Sequence, residues 1–185
     1  MQTKRDFFNE AVKNLKSSGS ILPSSKFLMK RMLESIDFKN TLTVVEFGPG
    51  NGIFTKEILK KLPANAQLIC FEINDEFLKH LQNIKDDRLH VVSASAEDII
   101  AQCHLLSIDN VDLIISSLPL TNIPNPVCKS ILKNSYTILR EKGSFLQYQY
   151  SLTYYKKLKA VFNDNVDLSF EIRNIPPAFI YKCNK

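Results

Sequence analysis

Three of the five glycines in this 185-residue chain fall within one short stretch, Glu46-Phe47-Gly48-Pro49-Gly50-Asn51-Gly52. A loop without side chains lets a ligand approach bare main chain, and the N–H groups of a helix that follows converge on the same spot. Glu72 closes the next apolar run, where a carboxylate can accept hydrogen bonds from two neighbouring hydroxyls at once. Further on, Ser95-Ala96-Glu97-Asp98 follows a third run and Ser116-Ser117-Leu118-Pro119-Leu120 follows a fourth. Tyr148 and Tyr150 end a fifth. Each short run thus ends on residues able to cradle, hydrogen-bond or stack.

The other chemistry-bearing residue types are scattered. Cys70, Cys103, Cys128 and Cys183 form no C-x-x-C pair, and His80, His90 and His104 stand at no metal-ligand spacing, so no metal centre is expected. Cys70 lies inside an apolar run and reads as core filler rather than as a nucleophile.

These residues are positioned by a regular alternation of elements. Strands are expected at 42–47, 67–72, 89–93, 111–116 and 144–150, and helices at 54–62, 75–84, 96–106 and 126–139. Strand, helix, strand at this interval implies right-handed crossovers and a parallel sheet covered on both faces. Two more strands, 167–173 and 178–183, joined at Pro176-Pro177, read as an antiparallel edge hairpin. The expected fold is therefore α/β and Rossmann-like: one domain over 1–185, with N-terminal helices in 1–36, an α/β core in 42–185 and a mostly parallel seven-stranded sheet. In such a sheet ligands bind at the carboxyl ends of the strands.

At the N-terminus, residues 4–16 place Phe7, Phe8, Ala11, Val12 and Leu15 on one helical face, with Lys4, Lys13 and Lys16 largely elsewhere. A second helix is expected after Pro23, capped by Ser24, with Leu28, Met29, Met32, Leu33 and Ile36 as its apolar stripe. Seven of the 24 lysines and arginines but only two of the 19 acids lie within Met1–Arg31, which leaves seventeen of each sign elsewhere. The whole net charge of +5 therefore sits at one end, as suits an anionic partner, either a membrane surface or nucleic acid. No apolar run approaches the ~20 residues of a membrane span, and no apolar segment with a cleavage site follows Arg5. A cytoplasmic location is expected, peripheral on the inner face of the membrane if lipid is the partner.

The glycine loop does not suit a dinucleotide, which wants a small residue where Ile53 stands. Acid-x-G-x-G-x-G between strand and helix, with a strand-end Glu at the next strand, instead resembles the first motifs of class I methyltransferases dependent on S-adenosylmethionine (SAM). That resemblance implies a cofactor site made by Glu46, Gly48, Gly50, Gly52, Phe54, Glu72, Ile73, Ala96, Glu97 and Ser116. Glu72 would hold the ribose and Ala96 with Glu97 the adenine. Amino-group methyltransferases commonly carry Asp or Asn, x, Pro and an aromatic after the fourth strand. Ser117 and Leu120 replace the polar residue and the aromatic here, which removes the platform for a planar base.

Over nearly its whole length the chain is similar to the bacterial phosphatidylethanolamine N-methyltransferases, relatives of the rRNA adenine dimethyltransferases. The similarity rests on Phe7-Phe8, Gly19-Ser20-Ile21-Leu22-Pro23-Ser24-Ser25, the glycine loop, Ser117-Leu118-Pro119-Leu120, Gln147-Tyr148-Gln149-Tyr150 and Pro176-Pro177-Ala178. It implies methyl transfer to a lipid amine, with Ser117, Pro119 and Tyr150 at the reacting centre and Leu118, Leu120 and Tyr148 around the acceptor. Lys4, Arg5, Phe7, Phe8, Lys13 and Lys16 would touch a membrane containing phosphatidylethanolamine and anionic lipid. Two other readings stand beside it: an rRNA adenine N6-methyltransferase-like enzyme, whose basic segment would track phosphates, and a SAM-binding or membrane-surface module without turnover.

Overall fold

The computed structural model describes residues 25–185; the helix expected at 4–16 lies outside them. The first described element is α1 (Lys26–Leu33), capped by Ser25, whose side chain accepts the Leu28 N–H at 3.2 Å. The cap is thus one residue later than expected. Leu28, Met32 and Leu33 are buried, so α1 covers one face of the sheet with the stripe its spacing predicts.

The sheet comprises β1 (Thr43–Phe47), β2 (Gln67–Phe71), β3 (Leu89–Val92), β4 (Val111–Ser116), β5 (Leu139–Gln149), β6 (Val166–Glu171) and β7 (Ala178–Asn184). Its seven strands run in the order β3-β2-β1-β4-β5-β7-β6, with β7 alone running against the direction of the others. The crossovers are α2 (Ile53–Lys61), α3 (Asp75–Gln82), α4 (Ile99–Leu105) and α5 (Asn125–Ile138), and α6 (Tyr155–Val161) bridges β5 to the hairpin. The core forms two layers, one on each face. Val45, Phe47, Ile69, Ile114 and Phe145 point to one, and Val44, Leu68, Cys70, Leu113, Ile115 and Leu146 to the other. That alternation of apolar side chains on both faces is what near-continuous apolar strands build.

Two features depart from the expected boundaries. β5 begins at Leu139, directly after α5, because Leu139 pairs with Val111 before the register shifts to Leu113↔Ser144. Lys142 takes φ +65° in the bulge, and a Cβ on Gly143 would lie 2.8 Å from the Arg140 carbonyl, so only glycine fits there. The second is α6, whose seven residues bury only Leu158 fully and carry no apolar stripe to betray a helix.

Candidate functional site

Four loops meet along one edge of the sheet because the parallel registers align the strand ends. Phe47 pairs with Phe71 and Ser116, Phe71 with Val92, and Ser116 with Gln147. The ladder continues one step beyond the strands: Gly48 N–H donates to the Phe71 carbonyl, Glu72 N–H to Val92, and Ser117 N–H to Phe47. The glycine loop, Glu72, the turn at Ser95 and the turn at Ser117 are therefore neighbours in space, as the spacing of their strands requires.

The three glycines of the loop do different work, and all have positive φ. A Cβ on Gly52 would press on Ile84 and Leu81 at 3.0 and 3.2 Å, so Gly52 lets α2 start close to α3. A Cβ on Gly48 would meet Leu118 at 3.1 Å, which ties the glycine loop to the Ser117 turn. At Gly50 a Cβ would meet nothing within 4 Å. Bare main chain there faces open space, the cradle a ligand needs.

Glu72 is 6% exposed and its carboxylate accepts three main-chain N–H groups: Gly50 at 3.2 Å, Ile73 at 2.8 Å and Asn74 at 2.9 Å. It braces the loop across from the neighbouring strand while staying at the rim of the cradle. Asn74 caps α3 by accepting the Glu76 and Phe77 N–H groups, so this carboxylate also fixes where that helix begins. Beyond β3, Ser95 caps a short turn over Ala96–Asp98, and the Glu97 carbonyl accepts the Asn134 amide at 2.8 Å.

Glu46 is wholly buried under the loop. Thr55 Oγ1 donates to its Oε2 at 2.7 Å and Cys70 Sγ approaches the same oxygen at 3.3 Å, while Oε1 has no partner. Burial pushes its pKa up to about 7; the Thr55 and Cys70 hydrogen bonds pull the other way, and the Glu72 charge adds a little to the rise. Burial, then the Glu46 carboxylate, likewise pushes the Cys70 thiol up, so Cys70 is an inert core thiol. Folded Glu46 therefore keeps its proton where the unfolded carboxyl has lost it. That costs stability as pH rises from its ordinary 4.5 towards about 7, and nothing further above that. Glu46→Gln retains an acceptor for Thr55 and should abolish this fall in Tm between about pH 5 and 7, as thermal unfolding across pH would show.

The acceptor side is built on β4 and β5. Ser117 and Pro119 are half-buried, whereas Leu118 and Leu120 turn into the core, Leu120 with no exposure at all. Leu120 thus packs under the site rather than facing an acceptor. Phe54 does the same beneath the glycine loop, packed with Ile58 and Leu59. Ser116 is fully buried, with the Leu118 N–H at 3.4 Å from its Oγ. The Leu118 carbonyl accepts three donors, the side-chain amides of Gln147 and Gln149 at 3.1 and 2.9 Å and the Leu120 N–H at 2.9 Å, and so has no capacity left for an incoming amine. The two glutamines appear in the sequence only as part of a similarity. The signal for them was two buried amides alternating along an otherwise apolar strand. Tyr148 and Tyr150 meet edge to face at 6.0 Å on the opposite side of β5, and Tyr150 is 39% exposed. Burial pushes the Tyr150 phenol up to about 12, Tyr148 adds to the rise, and an Asn174 hydrogen bond opposes it, so Tyr150 is a neutral ring at ordinary pH.

Among the described residues no group of three or more His, Cys, Asp or Glu side chains is placed to hold a metal ion, and no helix is long and apolar enough to cross a membrane.

Strand order, glycine cradle and braced carboxylate together make this a SAM-dependent methyltransferase of the class I fold. The chain belongs to the ribosomal RNA adenine dimethylase family, which matches residues 12–165. The ornithine lipid N-methyltransferase of Singulisphaera acidiphila is 28% identical over 97% of this chain and 96% of its own length. A ribosomal RNA small subunit methyltransferase A from Dehalococcoides mccartyi is 29% identical, but over 55% of this chain, which spans only 36% of that protein. Among solved structures, the N-methyltransferase NodS of Bradyrhizobium japonicum, in complex with S-adenosyl-L-homocysteine, shares the fold at TM-score 0.69 and 9% identity, covering 97% of this chain and 98% of its own. The precorrin-6y C5,15-methyltransferase of Geobacter metallireducens does so at TM-score 0.66 and 15% identity, covering 85% and 88%.

The residues present fit SAM. The open cradle at Gly50 and the acidic rim at Glu72 suit a cation with a sugar attached.

Proposed function

We propose that the chain transfers methyl groups from SAM to the amine of phosphatidylethanolamine-type lipids at a membrane surface, on the cytoplasmic face. The observation that carries this reading is the acceptor turn: its fourth residue, Leu120, is buried in the core, so no aromatic ring rises from the turn to stack on a base. The exposed ring nearby is Tyr150, just past the end of β5. The end-to-end similarity to a lipid N-methyltransferase supports it, against partial similarity to the rRNA enzymes.

SAM bound over the glycine loop supplies an activated methyl group. Gly48, Gly50 and Gly52 would hold it by main chain, Glu72 by its ribose, and Ala96 with Glu97 by its adenine, with Ile73 alongside. The acceptor ammonium would lose a proton to water, leaving a neutral amine whose lone pair could take the methyl group that the sulfonium would supply, the sulfur keeping the electron pair of the old bond. With the Leu118 carbonyl saturated, the Ser117 carbonyl or hydroxyl beside Pro119 would hold the neutral amine in line. Tyr150, with Tyr148 behind it, would face the methylated cation.

The test is labelled SAM with vesicles containing phosphatidylethanolamine, in parallel with ornithine-lipid vesicles and rRNA. Label in the amino-lipid supports the reading, and label in rRNA alone overturns the acceptor while leaving the fold. Deleting residues 1–16 should weaken vesicle binding, each lost cation near the surface removing ~1 kcal/mol, and should leave SAM affinity unchanged in calorimetry.

A further inference from the structure

The two most exposed isoleucines among the described residues lie together. Ile172 and Ile175 are 72% and 77% exposed, and both lie in the turn between β6 and β7. Phe179 at the start of β7 pairs with Gln149 at the end of β5, so this turn projects beyond the same sheet edge that carries the glycine loop and the Ser117 turn. Pro176 and Pro177 stiffen it, which holds the isoleucines out rather than letting them fold back.

We infer that this hairpin tip is a membrane-inserting anchor for an anionic bilayer surface, set beside the site so that the acceptor headgroup meets Tyr150. The inference rests on the amino-lipid reading above and adds to it a second contact, distinct from the N-terminal segment. Two hydrogen bonds and one cation–ring contact carry it. Asn174, in the middle of the turn and 2% exposed, accepts the Ser25 N–H at 3.1 Å and donates to the Pro176 carbonyl at 2.7 Å. One buried amide thus ties the tip to Ser25, the cap of α1, within the basic stretch Met1–Arg31. The Arg173 guanidinium lies 4.7 Å above the exposed ring of Phe27 while pairing with Glu171, and Lys26 is exposed alongside. Isoleucines tied to the stretch that carries the whole net charge match a bilayer, apolar below its anionic headgroups; a polyanionic RNA backbone offers nothing to two isoleucines.

The chain contains no tryptophan, so Ile175→Trp installs a single reporter in the intact protein. On vesicles of phosphatidylethanolamine and phosphatidylglycerol, its emission should shift to shorter wavelength and be quenched by brominated acyl chains. Leu105→Trp is the control: Leu105 is equally exposed, at 77%, but ends the helix that leads to the opposite edge, and it should stay unquenched. Ile172→Ser/Ile175→Ser should bind those vesicles about tenfold more weakly or worse, with SAM affinity unchanged. The anchor is overturned if Ile175→Trp stays unquenched on vesicles to which the protein binds. It is equally overturned if the shift follows protein concentration without lipid, as a second copy would cause, or rRNA instead of vesicles. Methylated lipid with an unquenched reporter refutes the anchor alone. A quenched reporter with no methylated lipid supports the anchor and refutes the acceptor reading alone.

Discussion

Gly50→Asp is expected to abolish detectable SAM binding in a protein that still folds. The added Cβ meets no protein atom within 4 Å, so the core is not disturbed. The local penalty is that of a side chain at φ +56°, about 1 kcal/mol, which lowers Tm by roughly 2–4 °C in a chain of this size. The new carboxylate, however, occupies the space the ligand needs and stands beside Glu72, already within 3.2 Å of the Gly50 nitrogen. Gly52→Ala makes the opposite case. Its Cβ presses on Ile84 and Leu81, so it should destabilise the packing of α2 on α3 more than Gly50→Asp does. Calorimetric SAM titration and thermal melts on the two variants separate cradle from packing.

Glu72→Ala should weaken SAM affinity ~100-fold or more. It would remove the proposed charge-assisted hydrogen bond to the sugar, worth about 1.5–3 kcal/mol, and it unbraces the Gly50, Ile73 and Asn74 N–H groups that the carboxylate now holds. Glu72→Gln keeps one acceptor and should fall between, roughly tenfold down. An alanine variant with undiminished affinity would mean that the carboxylate only braces the loop.

What the sequence made legible follows from what each residue must do for itself. The glycine loop was visible because positive φ and bare main chain restrict the residue type, and Glu72 because a carboxylate at a strand end in an apolar run is conspicuous. The sheet was visible because strands buried on both faces read as apolar runs. The unread parts depend on partners distant in sequence. Glu46 is perturbed by burial under Thr55 and Cys70, and the Leu118 carbonyl is saturated by amides from Gln147 and Gln149. Leu120 looked like a missing platform and is also a core residue, with the Cys128 thiol against its carbonyl. Asn174 gives no local signal, since its partners come from α1's cap and its own turn. In α6, Tyr155–Val161 carries lysines around one buried leucine, too thin a stripe to announce a helix.

Amide hydrogen exchange with and without SAM tests the central claim most directly, because it reads where the ligand sits as well as whether it binds. Saturating SAM should slow exchange at Gly48–Gly52 (except Pro49, which has no N–H), at Ile73 and Asn74, and around Ala96, leaving α6 and the far edge at β6 unchanged. Unaltered exchange in the glycine loop and beside Glu72, at SAM concentrations that support turnover, would contradict it.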